Sequence, residues 1–330
     1  MARVKCAKNL FMNMNVEDAL GKRGEKSSGF IEVGRTSVNT YTIPVVVISG
    51  AKPGKTVGFL AGTHGTEYAS IEALIRTTRD LDPAEMNGNV IAVTVLNGPH
   101  FEHRSAFLSP IDQLNQNRQF PGDPEGTLSR RTAYVAFKEI VSRCDALVDL
   151  HGGDIGEDID CMVIAGSGGG KEVDAVALDM ARCFPTEYVS KLPETVSGLS
   201  MTAQKEYGIP CVTSEAGTPY PIRERHIQFH YDGVMNVLKC FGVLPGEPVL
   251  AEVAINPKGY RYKAANAGIW HGFHELGSRV KKGETIGEVT DLFGNILESY
   301  TTPEDAKVTF LRTFYSVNQG EALIGLTVLK

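Results

Sequence analysis

The sequence predicts an α/β protein, a central sheet flanked by helices on both faces, followed by a smaller all-β domain at the C-terminus. Three observations predict it. Between about residues 43 and 240, short β-branched segments alternate with segments of helical period. The strand-like segments are apolar almost throughout rather than at every second residue, as in strands covered on both faces. After Pro245-Gly246-Glu247-Pro248 helical periodicity stops, and short alternating segments with regular glycine turns take over. The expected division is a domain over residues 1–248 and a small β domain over 249–330.

The expected strands are IPVVVIS (43–49), VGFLAG (57–62), VIAVTVL (90–96), ALVDL (146–150), MVIAG (162–166) and CVTSEAG (211–217), each bounded by Gly, Pro or polar residues. Between them, YASIEALIRTTRDL (68–81) puts Ile71, Leu74 and Ile75 on one helical face. LSRRTAYVAFKEIVSRC (128–144) starts beside Ser129, a residue suited to cap it. VDAVALDMARCF (173–184) and RHIQFHYDGVMNVLKCFG (225–242) complete the helices. In the C-terminal domain the segments are GIWHGFHELG (268–277), RVKKGETIGEVTDLFGN (279–295) and AKVTFLRTFYSVNQGEALIGLTV (306–328).

With 330 residues, 42% of them hydrophobic and 22% charged, the chain has ordinary globular usage and enough length for a substantial core. A net charge of −6 argues against nucleic acid or anionic membrane as a general partner. It leaves room for an anionic small substrate, provided arginine is concentrated in the pocket. The six cysteines (Cys6, Cys144, Cys161, Cys183, Cys211, Cys240) form no CxxC and no tight cluster, which reads as buried thiols in a reducing compartment. The N-terminal stretch lacks the apolar core of a signal peptide, and no apolar run reaches membrane-spanning length. The expectation is a cytoplasmic protein that neither binds nucleic acid nor enters a membrane.

Polar residues stand just beyond several of the apolar strands. His64 and Glu67 follow VGFLAG, His151 follows ALVDL, and Glu215 follows PCVTS. In an open α/β sheet the ligand crevice lies outside the carboxyl ends of the strands, so residues far apart in sequence converge there. Two histidines and a carboxylate suffice to hold a catalytic zinc ion with one position left for water. Glu215 has the chemistry of a base that takes the water's proton. Gly65 and Gly152 are expected to let the backbone turn beside the histidines, and Asp149 is placed to support an imidazole. Taken alone, His-x-x-Glu is better read as a helix start capped by Thr63 or Thr66 with Glu67. The stretch LNQNRQFPGD (114–123) adds Asn117-Arg118, a pair suited to gripping a carboxylate through a bidentate guanidinium and a directed amide.

The ordered set GTHGTE (62–67), GNVIAVTVLNGPHFE (88–102), NRQFPGD (117–123), DLHGG (149–153) and IPCVTSEAG (209–217) resembles the succinylglutamate desuccinylase/aspartoacylase family, itself related to zinc carboxypeptidases. GSRVKKGETIGEV (277–289) in the C-terminal domain resembles it too. The resemblance covers most of the chain from about residue 40. It implies a mixed central sheet of zinc carboxypeptidase-like fold, one Zn2+ per subunit held by His64, Glu67 and His151, and Glu215 as general base. It also implies that Asn117 and Arg118 hold the substrate and that an upstream arginine, for which Arg104 is the candidate, polarises the scissile carbonyl. Two departures bear on substrate: Asn115-Gln116 replaces the usual Asp-Leu, and DLHGGDIGEDIDCM is unusually acidic. Asp154, Glu157, Asp158 and Asp160 either favour an amine-bearing substrate or form a solvated loop, and the loop is the simpler reading.

Other features point elsewhere less well. AGSGGGKE (165–172) has Ala165 for the first glycine and Glu172 for the magnesium-binding hydroxyl of a phosphate loop. His226 and His230, at i and i+4, read as a surface or interface pair, and His271 and His274 as packing or oligomer contacts. Ser214 lacks the GxSxG elbow. The expected protein is a zinc-dependent amidohydrolase releasing a carboxylate from a small, carboxylate-bearing N-acyl amino acid or related amide. A metallocarboxypeptidase acting on short peptides and a non-catalytic binding protein of the same fold are the alternatives, and a homo-oligomer is plausible.

Overall fold

A computed structural model describes residues 13–191 and 195–329. Cys6 and most of the N-terminal stretch considered above lie outside the described residues. The first eight strands are β1 (Glu25–Arg35), β2 (Thr40–Ser49), β3 (Lys52–Ala61), β4 (Asn87–Val93), β5 (Ala146–His151), β6 (Glu157–Ala165), β7 (Tyr188–Lys191) and β8 (Cys211–Gly217). Interleaved with them are α1 (Val16–Leu20), α2 (Tyr68–Asp80), α3 (Gly98–His103), α4 (Leu128–Glu139), α5 (Lys171–Arg182), α6 (Leu199–Tyr207) and α7 (Glu224–Cys240).

The central sheet runs β1-β2-β4-β3-β5-β8-β6. Its middle strands, β4, β3, β5 and β8, are mutually parallel, while β2 and β6 flank them antiparallel. It is a mixed sheet, as expected. The apolar strands divide by period two between its faces. Val57, Phe59 and Ala61 pack with Leu74 of α2, Met180 of α5 and Val237 of α7. Leu60 and Leu147 pack on the other face with Ala133 and Phe137 of α4 and Leu199 of α6. The strands read as continuous apolar runs because helices cover both faces. Helix α4 starts one residue earlier than its expected cap: Thr127 holds the cap position, and Ser129 instead turns its backbone N–H and its hydroxyl to the Asp112 carboxylate.

Nine further strands follow: β9 (Ala254–Ile255), β10 (Gly259–Lys263), β11 (Gly268–Gly272), β12 (Arg279–Val280), β13 (Thr285–Thr290), β14 (Ile296–Thr301), β15 (Ala306–Arg312), β16 (Ser316–Val317) and β17 (Ala322–Thr327). Strands β14-β13-β11-β16 form a separate antiparallel sheet. Strands β15, β17 and β10 continue the central sheet beyond β6, with Arg312 opposite Glu157 and Phe310 opposite Ile159. The C-terminal strands therefore reach the edge of the first sheet next to its acidic strand. Cys144, Cys161, Cys183, Cys211 and Cys240 are free thiols, and Cys240 is exposed. Among the described residues no helix is long and apolar enough to cross a membrane.

Candidate metal centre

The parallel order β3-β5-β8 brings three carboxyl ends side by side. Ala61, Leu150 and Ser214 are neighbours across the sheet, and one step further His151 lies opposite Glu215. Beyond β3 the chain turns at Gly62, whose φ of 66° is left-handed. Gly65 does not make the turn. A side chain there would place its Cβ 2.1 Å from Phe101 N, so its role is to let α3 approach. Gly152 plays the same part toward β8, since a Cβ there would lie 2.5 Å from Ala216 O. The Gly65 N–H donates to His100 Nδ1 at 3.1 Å. Burial lowers the His100 pKa, which keeps the lone pair that this bond requires.

Glu67 occupies the cap position of α2, yet its side chain makes no capping bond. Its carboxylate instead divides between two rings, Oε1 at 2.8 Å from His64 Nδ1 and Oε2 at 2.9 Å from His151 Nδ1. All three side chains are buried. Glu67 Oε2 has no directed hydrogen bond despite the nearby ring nitrogen. Behind the rings, His64 Nε2 donates to Asn115 Oδ1 at 3.2 Å, an oxygen that also accepts from Asn117 N at 2.9 Å. His151 Nε2 lies 3.0 Å from Asp149 Oδ2.

This arrangement fits a metal ion on chemical grounds. A proton on His64 Nε2 leaves the Nδ1 lone pair facing a carboxylate, an arrangement that demands positive charge between them. Protons meet the same demand. Burial opposes the charged form of His64, but Glu67 outweighs it and raises the pKa. For His151, Asp149 and Glu67 overcome burial and raise it well above the usual value. Two imidazole nitrogens and a carboxylate oxygen within 4.8 Å of one another are a donor set for a divalent transition metal. Burial, reinforced by the charges of Glu67, Asp149 and Glu157, pushes the Glu215 carboxyl well above the ordinary range against the opposing effect of His151.

Asn117 joins the cluster. Its Nδ2 lies 3.3 Å from His151 Nε2, and its Oδ1 accepts from Leu199 N at 2.9 Å. Arg118 is exposed, and Nη1 donates to Asn117 O at 2.9 Å. Arg104 is not brought to the triad by any hydrogen bond or ion pair among the described residues. It is exposed, in a left-handed conformation after α3, and lines a groove of about 610 Å³ bordered by Tyr68, Ile75 and Ile227.

The acidic stretch is no solvated loop. Asp154 is fully buried and accepts from Thr66 Oγ1, Phe107 N (2.7 Å) and Ile155 N (2.6 Å). Asp158 pairs with Arg223 at 2.7 Å and Asp160 with Lys307 at 2.6 Å. His226 and His230 are also buried rather than on the surface. His230 Nδ1 and Ser214 Oγ are 2.9 Å apart, out of reach of a substrate. In AGSGGGKE, the N–H groups of Gly168 and Gly169 donate to Asp174 of α5, so the loop is satisfied internally. His271 and His274 bond to Thr290 and Thr285 within the small sheet. Asn115, His100 and Asp154 are supports that sequence reasoning misses. Asn115 carries a signal there as a departure from the related pattern, and Asp154 as part of the acidic stretch, but neither signal gives the role.

The sequence model of the succinylglutamate desuccinylase/aspartoacylase catalytic domain matches residues 53–241. The chain belongs to this family. Within the succinylglutamate desuccinylase/aspartoacylase family, the N-alpha-acetyl-L-2,4-diaminobutyric acid deacetylase of Halomonas elongata is 28% identical over 291 residues, 85% of this chain and 84% of that protein. The product-bound ectoine utilization protein EutE (DoeB) of Ruegeria pomeroyi superimposes with a TM-score of 0.84 at 26% identity, covering 93% of this chain and 96% of that one. A succinylglutamate desuccinylase of Silicibacter sp. TM1040 gives 0.81 at 25% identity, covering 92% and 95%.

Proposed function

We propose that the protein is a zinc-dependent amidohydrolase that releases a carboxylate from a small N-acyl amino acid. The observation that carries this reading is the register of β5 and β8, which sets the carboxyl of Glu215 beside the donor set of His64, Glu67 and His151. Zinc held by those three residues would supply Lewis acidity and lower the pKa of water toward about 7. Glu215 takes the proton of the attacking water and delivers it to the leaving nitrogen. Burial raises its pKa, which makes its anion a stronger acceptor for the water's proton. Asp149 and Asn115 fix the ring orientations of His151 and His64. Arg118, exposed and free of carboxylate partners among the described residues, receives the substrate's own carboxylate, while Asn117 braces the site through His151 and Leu199. Arg104 serves as the carbonyl-polarising arginine only if its loop carries it inward when substrate binds.

The deacetylase relative supports acetyl as the acyl group and a diamino acid as the released amine. The test is a panel of N-acetyl and N-succinyl amino acids incubated with zinc-loaded protein, read as amine release. Hydrolysis of at least one that is abolished by a chelator and restored by zinc supports the reading. Absence of any hydrolysis by fully loaded protein rejects it.

A further inference from the structure

Beside the triad lies a second cavity, of about 220 Å³, lined by Phe107, Ile155, Glu157, Phe314, Arg312 and Glu321 among others. It adjoins the candidate metal centre through Phe107, whose ring stands edge-on to His64 with centroids 6.0 Å apart. Asp154 locks the two together by accepting from Thr66 in the ligand turn and from the backbone of Phe107 and Ile155 in the cavity wall. The opposite wall comes from the C-terminal strands, where Arg312 lies opposite Glu157 in the β6–β15 pairing. Gly156, with φ of 92°, is required here: a side chain would strike the Phe314 ring, its Cβ 2.6 Å away.

The charges around this cavity are almost all spent. Arg312 and Glu321 pair with each other at 2.8 Å. Asp158 and Asp160 follow Glu157 along β6 and are neutralised by Arg223 and Lys307. Asp154 is consumed by its three donors. Arg261 acts on Glu157 at a distance, but its guanidinium lies flat over the Phe310 ring, 3.3 Å from the centroid, and pairs with no carboxylate among the described residues. Among the described residues Glu157 alone lines the cavity without an ion pair from its side chain, its carboxylate held only by the backbone N–H of Asp154. The cavity thus offers one carboxylate with no direct ion pair between aromatic walls, surroundings that suit an organic cation.

We propose that Glu157 is the specificity-determining residue that binds the side-chain ammonium of an N-acyl diamino acid, with Phe107 and Phe314 flanking the cation. The proposal rests on the deacylase reading above and names what that reading leaves open, the group that distinguishes one N-acyl amino acid from another. Burial, with smaller contributions from the charges of Asp154 and Glu67, holds the Glu157 carboxyl above its ordinary range despite Arg261 and the Asp154 backbone N–H, and an ammonium in the cavity would relieve that penalty. The C-terminal strands then have a functional part, since they supply Phe314 and the self-paired Arg312 and Glu321.

The test compares three substrates of similar size on zinc-loaded wild-type protein and on Glu157→Gln: N-acetyl-2,4-diaminobutyrate (cationic side chain), N-acetylnorvaline (neutral) and N-acetylglutamate (anionic). Wild type should favour the cationic substrate, and Glu157→Gln should lower kcat/KM for it by about 10- to 100-fold, the value of one charge-assisted contact. N-acetylnorvaline should change less than about 3-fold, a factor that corresponds to no lost contact. Calorimetric binding of free 2,4-diaminobutyrate should weaken in parallel, which reads the contact apart from turnover. Hydrolysis without a cationic preference in wild type overturns the Glu157 assignment and leaves the deacylase reading standing. An equal preference retained by Glu157→Gln does the same. Hydrolysis of no N-acyl amino acid overturns both.

Discussion

His151 and Glu215 face each other across parallel strands β5 and β8, one at the end of a fully buried strand and the other a partly exposed residue of its neighbour. A candidate ligand and a candidate base thus share one rung of a hydrogen-bonded ladder. Their separation is set by the sheet rather than by a mobile loop, so the geometry for proton transfer is built in.

From this relationship, Glu215→Gln should keep its metal and lose about 10²- to 10⁴-fold in kcat, the usual contribution of a general base. Metal analysis and amine release on the same preparation check both halves. Turnover near the wild-type rate would remove Glu215 from the base role.

Asp149 lies 3.0 Å behind His151, and its side chain makes no other directed bond among the described residues. Asp149→Asn should weaken zinc binding by about 10- to 100-fold, the range seen when an outer partner of a metal-bound histidine is lost. His151→Ala should weaken it further. Competition against a chromophoric chelator measures both, and an unchanged affinity in Asp149→Asn would show that Asp149 leaves the ring free.

Asp154 is buried and accepts from a hydroxyl and two backbone N–H groups. Asp154→Ala strands those donors and should cost about 2–4 kcal/mol in urea unfolding. A loss below about 0.5 kcal/mol, the level of an ordinary surface change, would mean that the two loops do not depend on it.

Stability should fall on mild acidification through His226 and His230. Burial lowers His226 to about 4 and His230 to about 3. The unfolded chain takes up these protons below about pH 6.5 while the folded protein does not. The unfolded state therefore binds more protons, and stability drops as pH falls from about 6.5 toward 4 and then 3. At pH 5 each histidine should account for about 2 kcal/mol of loss relative to pH 7.5. Urea unfolding across that range should show a shallower decline for His230→Asn than for wild type. Parallel curves would assign the loss to other groups.

Much of the architecture can be read locally. Continuous apolar runs such as VGFLAG and ALVDL report coverage on both faces, and polar residues immediately beyond them report strand ends. Those two local facts place His64, Glu67, His151 and Glu215 at one edge of the sheet before any contact is known. Strand β1 escapes such a reading, because EKSSGFIEVGR is polar at an edge and lacks the apolar run. Helix α6 escapes it as well, since LSMTAQKEY is short and weakly amphipathic.

The α/β class, the change of texture near residue 248 and the residue types that gather at the strand ends are all legible locally, because each depends on neighbours within a few positions. Tertiary structure alone decided which acids are neutralised and which remain free. Asp158 finds Arg223, 65 positions away, and Asp160 finds Lys307 in the C-terminal strands, while Glu157 beside them forms no ion pair among the described residues. It likewise decided that Glu67 turns to two histidines rather than capping α2, that His226 and His230 are buried, and that Arg104 lines a separate groove. The physical reason is common to all of them: a charge's partner is set by sheet register and by helices returning across the chain, and such long-range pairing leaves no periodic mark in the local sequence.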